Sequence, residues 1–405
     1  MHQDSQRSAL RPAVPHDRGV TAQLTLEPFR IAIPDADLAE LKARLAATRW
    51  PEQLPGTPWQ RGVPVDYLKG LAAYWANDFD WRAQEAELNS HPQFRTEIDG
   101  QTVHFLHIES PEPNARPLIL LHGWPGSVVE FLDIIGPLSN PRAHGLDPAQ
   151  AFHLVIPSLV GFGFSTPLSG ADWTINRIAA AVTELMAALD YDRFCVQGGD
   201  YGSVIGPAIG SHVPDRVIGV HINGPAFGVM PGKGVTDDEL ASLAEIERER
   251  VARAAVWAAE MTAYFRLQGT RPQTLSYGLT DSPAGQLAWI VEKFKEWTDS
   301  AKDLPEDAVD RDRLLANVSV YWFTGTAGSS ANLYYETTHT RTMSPPSGVP
   351  TGVAVFAADM AIRRYAEKRH NITHWSDFDI GGHFAAMETP QVLVDDIRTF
   401  FATVT

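Results

Sequence analysis

The stretch Val196-Gln197-Gly198-Gly199-Asp200-Tyr201-Gly202-Ser203-Val204 constrains this chain more than any other. Before it, Asp192-Arg193-Phe194-Cys195-Val196 reads as a short buried strand. After it come Gly202, Ser203, Gly206, Ala208 and Gly210, small residues that let a helix lie close to a sheet. The order is strand, tight turn, helix, with small-x-Asp-x-small at the turn. Glycines at such a turn relieve backbone strain, and the central side chain is left standing out from the sheet.

That arrangement is the nucleophile elbow of α/β-hydrolases, with aspartate in place of the usual serine. A serine needs an adjacent base before it attacks. A carboxylate, with a reference pKa of about 3.9, is already an anion at neutral pH. It suits displacement at a saturated carbon, which leaves an alkyl ester on the enzyme. Three further parts are then required: a base for the water that hydrolyses the ester, donors for the ester oxyanion, and a group to stabilise the leaving oxygen.

The rest of the chain is compatible with this reading. Its 405 residues, 44% hydrophobic and 20% charged, are those of an ordinary globular protein with a large core. A formal net charge of -16 argues against nucleic acid or an anionic membrane as partner. The single cysteine, Cys195, allows no intrachain disulfide and reads as a core residue. No apolar run approaches the ~20 residues that span a bilayer. Residues 1–24 are polar, without a signal-peptide core, and read as a flexible leader. The expected location is cytoplasmic.

Taken in order, Phe29 to Ile33 alternates like an edge strand, and Pro34-Asp35 opens a helix with Asp35 as candidate N-cap. Two more amphipathic helices come next, around Tyr67 to Trp75 and from Asp80-Trp81-Arg82 through Leu88. Their aromatics read as core packing, in a segment that wraps around the rest of the chain. Phe94 to His107 predicts a β-hairpin turning at Asp99-Gly100. Pro117 to Leu121 is a continuous apolar run of parallel-strand type that ends in His122-Gly123-Trp124-Pro125-Gly126. The loop after this strand supplies one oxyanion-hole N–H in α/β-hydrolases, which nominates the backbone N–H of Trp124. The N–H of Tyr201, one past the nucleophile, is the other candidate.

Phe152 to Ile156, and Arg216 to Ile222, predict further strands, with a helix over Asn176 to Ala188. From Gly224 to about Pro350 the strand signals fade. Thr236 to Leu267, Glu292 to Trp297 and Asp310 to Tyr321 read as helices of an inserted cap. Strands return at Gly352 to Phe356 and Ile372 to Phe378, and a helix from Val392 to Phe401 closes the chain. The expected fold is a mostly parallel α/β sheet with helices on both faces. The expected divisions are 1–24 leader, 25–92 N-terminal helical segment, 93–223 and 351–405 core, and 224–350 cap.

Asp200, Asp359 and His383 are in the order nucleophile, acid, histidine of the α/β-hydrolase triad. Asp359 and His383 each lie just past a predicted strand, at the sheet edge where such sites form. His383 would take a proton from the attacking water, and Asp359 would orient its ring and stabilise the imidazolium. His370 and His374 have an i, i+4 spacing, but no further ligand pattern supports a metal.

His122-Gly123-Trp124-Pro125, Gly199-Asp200-Tyr201-Gly202 and Gly381-Gly382-His383-Phe384 together resemble the microsomal-type epoxide hydrolase family, over about Phe29 to Phe401. The resemblance extends to Trp50-Pro51, Phe79-Asp80-Trp81, Thr280 to Pro283 and Tyr321 to Thr326. It implies a cofactor-independent enzyme that turns an epoxide and water into a vicinal diol, with no metal. It also implies two cap tyrosines that hold and protonate the epoxide oxygen. By local context these are Tyr264 and Tyr334, with Tyr335 adjacent and the register there open by one. A phenol, with a reference pKa of about 10, stays neutral until the ring opens and can then give its proton to the stronger alkoxide base.

Two residues depart from the family pattern. Tyr201 stands where Trp is frequent, and Asp359 stands where some relatives have Glu. The membrane anchor of mammalian relatives is not expected here, and a homodimer is left open. Family substrates include xenobiotic epoxides and natural-product intermediates, between which the sequence does not choose. Two rival readings are a haloalkane dehalogenase, which shares the Asp nucleophile, and a ligand-binding protein on a hydrolase scaffold. A dehalogenase resembles a smaller fold without the N-terminal segment.

Overall fold

The computed structural model describes residues 24–225, 235–340 and 344–405. The leader expected over 1–24 lies outside the described residues but for Leu24. Nine strands form one sheet: β1 (Glu27–Phe29), β2 (Gln93–Ile98), β3 (Gln101–Ile108), β4 (Arg116–Leu121), β5 (Phe152–Pro157), β6 (Phe194–Asp200), β7 (Val217–Pro225), β8 (Pro350–Val355) and β9 (Asn371–Asp377). Their order is β1-β2-β3-β5-β4-β6-β7-β8-β9. The first three strands pair antiparallel and β3 joins β5 antiparallel. From β5 through β9 every pairing is parallel. The strands that end before His122, Asp200, Asp359 and His383 therefore all deliver their carboxyl ends to the same edge of the sheet.

The central parallel strands β4 and β5 are apolar at nearly every position because both faces are covered, whereas the edge strand β9 is mostly polar and partly exposed. In β4, Ile119 and Leu121 enter one core cluster while Leu118 and Leu120 enter the other. Cys195 is fully buried in β6, as its place in the apolar run predicts, and burial pushes its thiol up to about 12. Helix α1 (Asp35–Ala46), α2 (Val65–Asn77) and α3 (Trp81–Leu88) precede the hairpin, and α4 (Leu132–Ser139), α5 (Ile175–Ala188) and α6 (Gly202–His212) pack in the first part of the core. At Gly202 a β-carbon would overlap the Leu121 carbonyl, so α6 can start directly against β4 only because that residue has no side chain.

Between β7 and β8 the chain is helical: α7 (Asp237–Ala241), α8 (Glu245–Val256), α9 (Ala263–Thr270), α10 (Pro272–Asp281), α11 (Pro283–Trp297), α12 (Pro305–Ala308), α13 (Arg311–Thr324) and α14 (Thr326–Thr340). After β8 come α15 (Arg363–Ala366), α16 (Ala385–Glu388) and α17 (Pro390–Thr403). Among the described residues no helix is long and apolar enough to cross a membrane.

Several local expectations change. The first strand ends at Phe29, not Ile33, because the next residues find side-chain partners. Ile31 N–H donates to Asn89 Oδ1 at 2.9 Å, and Ile33 N–H to Glu85 Oε1 at 2.7 Å. Pro34, not Asp35, is the N-cap of α1, and Asp35 is its first helical residue. The single helix expected over Thr236 to Leu267 is broken into α7, α8, a π-helical turn at Trp257–Met261 and α9. The breaks place Tyr264 in the first turn of α9. Helices α10 and α14 have no counterpart in the sequence pattern. Their Ser, Thr, Gly and Asn content carries no clear helical periodicity, and burial between neighbours forms them instead.

The far end of the sheet is tied down by Asp396 of α17. Its carboxylate accepts from His221 Nε2 of β7 at 2.9 Å, His374 Nε2 of β9 at 2.8 Å and Ser376 Oγ at 2.5 Å. Burial alone would raise this carboxyl, but the two imidazoles and the hydroxyl lower it below the usual range. A depressed native pKa stabilises the fold above the unfolded value of about 3.9 and stops doing so as pH falls through the native one. Asp396→Asn is expected to cost about 2–3 kcal/mol at neutral pH, with the gap to wild type closing in strong acid. Urea unfolding across that range checks it.

Candidate active site

Asp200 sits at the end of β6 with φ +49°, in the left-handed region that a residue with a β-carbon adopts at a cost of about 1 kcal/mol. This turn lifts the carboxylate off the sheet into a cavity of about 730 Å³ under the helices. Ser203 Oγ braces the turn by donating to the Asp200 carbonyl at 2.5 Å. The two carboxylate oxygens have different partners. Trp124 N–H donates to Oδ1 at 3.0 Å, and His383 Nε2 lies 3.4 Å from Oδ2. At Gly123 a β-carbon would overlap the Asp200 carboxyl, so the loop after β4 can close on Asp200 only with glycine there.

His383 lies in the loop after β9, held from the end of α11. Its N–H donates to the Trp297 carbonyl at 2.9 Å, and the Trp297 indole covers its ring at 5.0 Å. Glu388 clamps the same loop by accepting from Phe384 N–H at 3.0 Å and Asp299 N–H at 2.9 Å. Burial pushes Glu388 up to about 7. Burial also works against charging His383. The hydrogen bond to Asp200, with the charges of Asp200, Asp359 and Glu130, outweighs it and raises the imidazole above its ordinary value.

Asp359 lines the same cavity and is buried, which raises its carboxyl above the ordinary value. Its Oδ2 accepts from Phe356 N–H at 2.8 Å, and Arg253 of α8 steadies the loop by donating to the Ala357 carbonyl at 2.5 Å. The expected orienting hydrogen bond from Asp359 to the His383 ring is not made in this arrangement. The two groups are coupled through their charges alone.

Tyr264 and Tyr334 face the cavity from α9 and α14, their ring centroids 5.9 Å apart and nearly perpendicular. Burial raises both phenols well above their ordinary value, with Asp200 adding to the effect. Tyr264 stacks on the Trp124 indole at 5.3 Å, and Tyr334 meets the Tyr201 ring edge-on at 5.0 Å. Tyr334 and Tyr335, between which the register was open, are placed differently. Tyr334 is 2% exposed and lines the cavity, whereas Tyr335 is 36% exposed and stacks on His339. Of the two oxyanion-hole candidates, Trp124 N–H contacts the carboxylate and Tyr201 N–H makes no hydrogen bond to it. His374, considered for a metal, is instead engaged by Asp396.

Sequence reasoning misses Glu130, Lys293, Glu296 and Trp297. Glu130 is a carboxyl close enough to Asp200 and His383 to feel their charges, and burial pushes it up to about 8. A lone Glu inside the apolar run Val128-Val129-Glu130-Phe131-Leu132 is the signal that could have found it. No local pattern marks the other three.

Residues 26–131 match the family model described as epoxide hydrolase N terminus, and 116–298 match the α/β-hydrolase fold model. A protein of Stigmatella aurantiaca (strain DW4/3-1), provisionally named an epoxide hydrolase, is 44% identical over 379 residues, covering 93% of this chain and 84% of that one. The chain belongs to the epoxide hydrolase family. Epoxide hydrolase 1 of Sus scrofa is 32% identical, with 96% and 90% covered. The solved epoxide hydrolase of Aspergillus niger is 34% identical at a TM-score of 0.82, with 95% of this chain and 98% of that one covered. The family's N-terminal segment is thus present.

Gly123→Ala is expected to displace the Asp200 carboxylate and slow any reaction at it by about 100-fold, since a 1 Å misplacement suffices for that. Epoxide consumption against the thermal midpoint checks it: loss of both together would mean misfolding instead.

Proposed function

We propose that the chain hydrolyses a hydrophobic epoxide, such as an aryl epoxide, to a vicinal diol through a covalent ester on Asp200. The supporting observation is the division of that carboxylate, one oxygen on Trp124 N–H and the other toward His383, beneath two phenols. Oδ2 attacks an epoxide carbon and the C–O bond breaks. Tyr264 or Tyr334 gives its proton to the departing oxygen. Oδ1 becomes the ester carbonyl oxygen, already on the donor that will hold the oxyanion. His383 then removes a proton from water as its oxygen attacks the acyl carbon, with Asp359 favouring the imidazolium electrostatically. Collapse of the tetrahedral intermediate expels the diol oxygen, which takes the imidazolium proton, and the remaining water proton on the acyl group returns to the tyrosine phenolate, leaving the Asp200 carboxylate. Apolar lining from Val256, Met261, Phe265, Trp297 and Met360 suits a hydrophobic substrate.

The order of charges has a built-in logic. While Asp200 is an anion it raises the His383 pKa. Once Asp200 is an ester that negative charge is gone, so the imidazole pKa falls and the neutral base is restored when it is needed.

Incubated with styrene oxide, His383→Gln should accumulate an adduct of protein plus one epoxide, seen by intact mass, whereas Asp200→Ala should show none. An adduct in Asp200→Ala would remove that residue from the mechanism. Separately, the acid limb of ester hydrolysis should lie at lower pH than the His383 titration followed by NMR in the free enzyme. Coincidence of the two would contradict the charge-release account.

A further inference from the structure

Lys293 of α11 is 2% exposed, beside the reaction cavity but not on it. A buried ammonium costs several kcal/mol unless it is paired. Lys293 is paired twice: Nζ lies 2.7 Å from Glu292 Oε1 and 2.7 Å from Glu296 Oε2. Held by these carboxylates, Nζ lies over the Tyr264 ring, 4.9 Å from its centroid, and 5.8 Å from that of Trp297. The partners are themselves only partly exposed, and Glu296 lines the cavity. Two acidic side chains are thus used to keep one cation against the ring of a phenol that faces the reacting centre.

The two cavity tyrosines differ in this respect. Tyr334 is surrounded by the rings of Trp124, Tyr201, Tyr264 and Phe265. Tyr264 has Trp124 stacked on it and Trp297 at its edge, and it alone of the pair has an ammonium over its ring. The charged and titratable groups that bear on Tyr264 are Asp200 from β6, Glu296 and Lys293 from α11, and Tyr334 from α14. His383 and Asp359 share the cavity. Asp200 and Glu296 oppose negative charge on the Tyr264 oxygen, whereas a hydrogen bond from Tyr334 and the ammonium of Lys293 over the ring favour it.

We propose that Tyr264 is the proton donor of the ring-opening step and that Lys293 is the positioning residue that makes it the better acid of the two. Tyr334 then holds the epoxide oxygen by a hydrogen bond without giving up its proton. The cation stabilises the phenolate that exists only after the proton has moved, so it acts on the transition state and not on the bound epoxide. The inference rests on the proposed ester mechanism.

The test separates the two half-reactions. With styrene oxide in excess, stopped-flow tryptophan fluorescence reads ester formation, and with enzyme in excess single-turnover diol release reads hydrolysis. Lys293→Met should slow ester formation about tenfold, move its alkaline limb to higher pH and leave hydrolysis within about twofold. Lys293→Arg should restore part of the rate. Lys293→Gln, which keeps a hydrogen-bond donor for the two carboxylates but carries no cation, should slow ester formation and move the limb in the same direction as Lys293→Met. It decides the matter should Lys293→Met fail to fold.

An unmoved alkaline limb in both variants would overturn the role of Lys293, as would equal loss in both half-reactions of folded Lys293→Met. If His383→Gln forms no ester on Asp200 by intact mass, the underlying mechanism fails instead. An ester that forms at the same rate with and without Lys293 sinks this inference alone.

Discussion

At Asp200 the backbone turns through φ +49°, and the rest of the site is built around the side chain that this turn exposes. Trp124 N–H holds one carboxylate oxygen and His383 approaches the other, so a flexible side chain is reduced to one orientation. The close contacts at Gly123 and Gly202 belong to the same constraint, because a methyl group at either would collide with the carboxyl or with β4. The strain of one residue is small beside the packing of β6 between β4 and β7, which leaves the turn no alternative.

The helices between β7 and β8 do more than cover the cavity. Trp297 carries the His383 loop on its carbonyl and the ring on its indole, while Arg253 steadies the loop of Asp359. The helices between β7 and β8 therefore set the positions of groups that sit on the other side of the cavity. Shared burial makes the titrating groups interdependent. Glu130, Glu388, Asp359 and both phenols are all raised by it, and His383 escapes the opposite fate only through the negative charges beside it.

Much of the framework was legible because its signals are local. The apolar run of β4, the Asp99-Gly100 turn with φ +52° and +71°, and the buried cysteine strand each reflect a short-range rule. Trp124 could be nominated from the loop that β4 feeds. The helices between β7 and β8 were legible only in part. The stretch from Asp237 to Thr270 is continuous in composition, yet its helix breaks and passes through a π turn before Tyr264. Helix α14, with Thr, Ser and Gly at many positions, gains its stability from α9 and α10 packed against it.

What the sequence by itself determined is the strand-turn-helix at Asp200, the order of the sheet-edge residues and the chemical types that meet there. These depend on backbone sterics and on periodicity, which act over a few residues. Only the tertiary structure decided that Tyr334 and not Tyr335 faces the cavity, that Asp359 is coupled to His383 through charge without a hydrogen bond, and that Lys293 is carried onto the ring of Tyr264. Each of these depends on which helices pack together and at what depth. Depth fixes the energy of a charge, and neither is written in the neighbours along the chain.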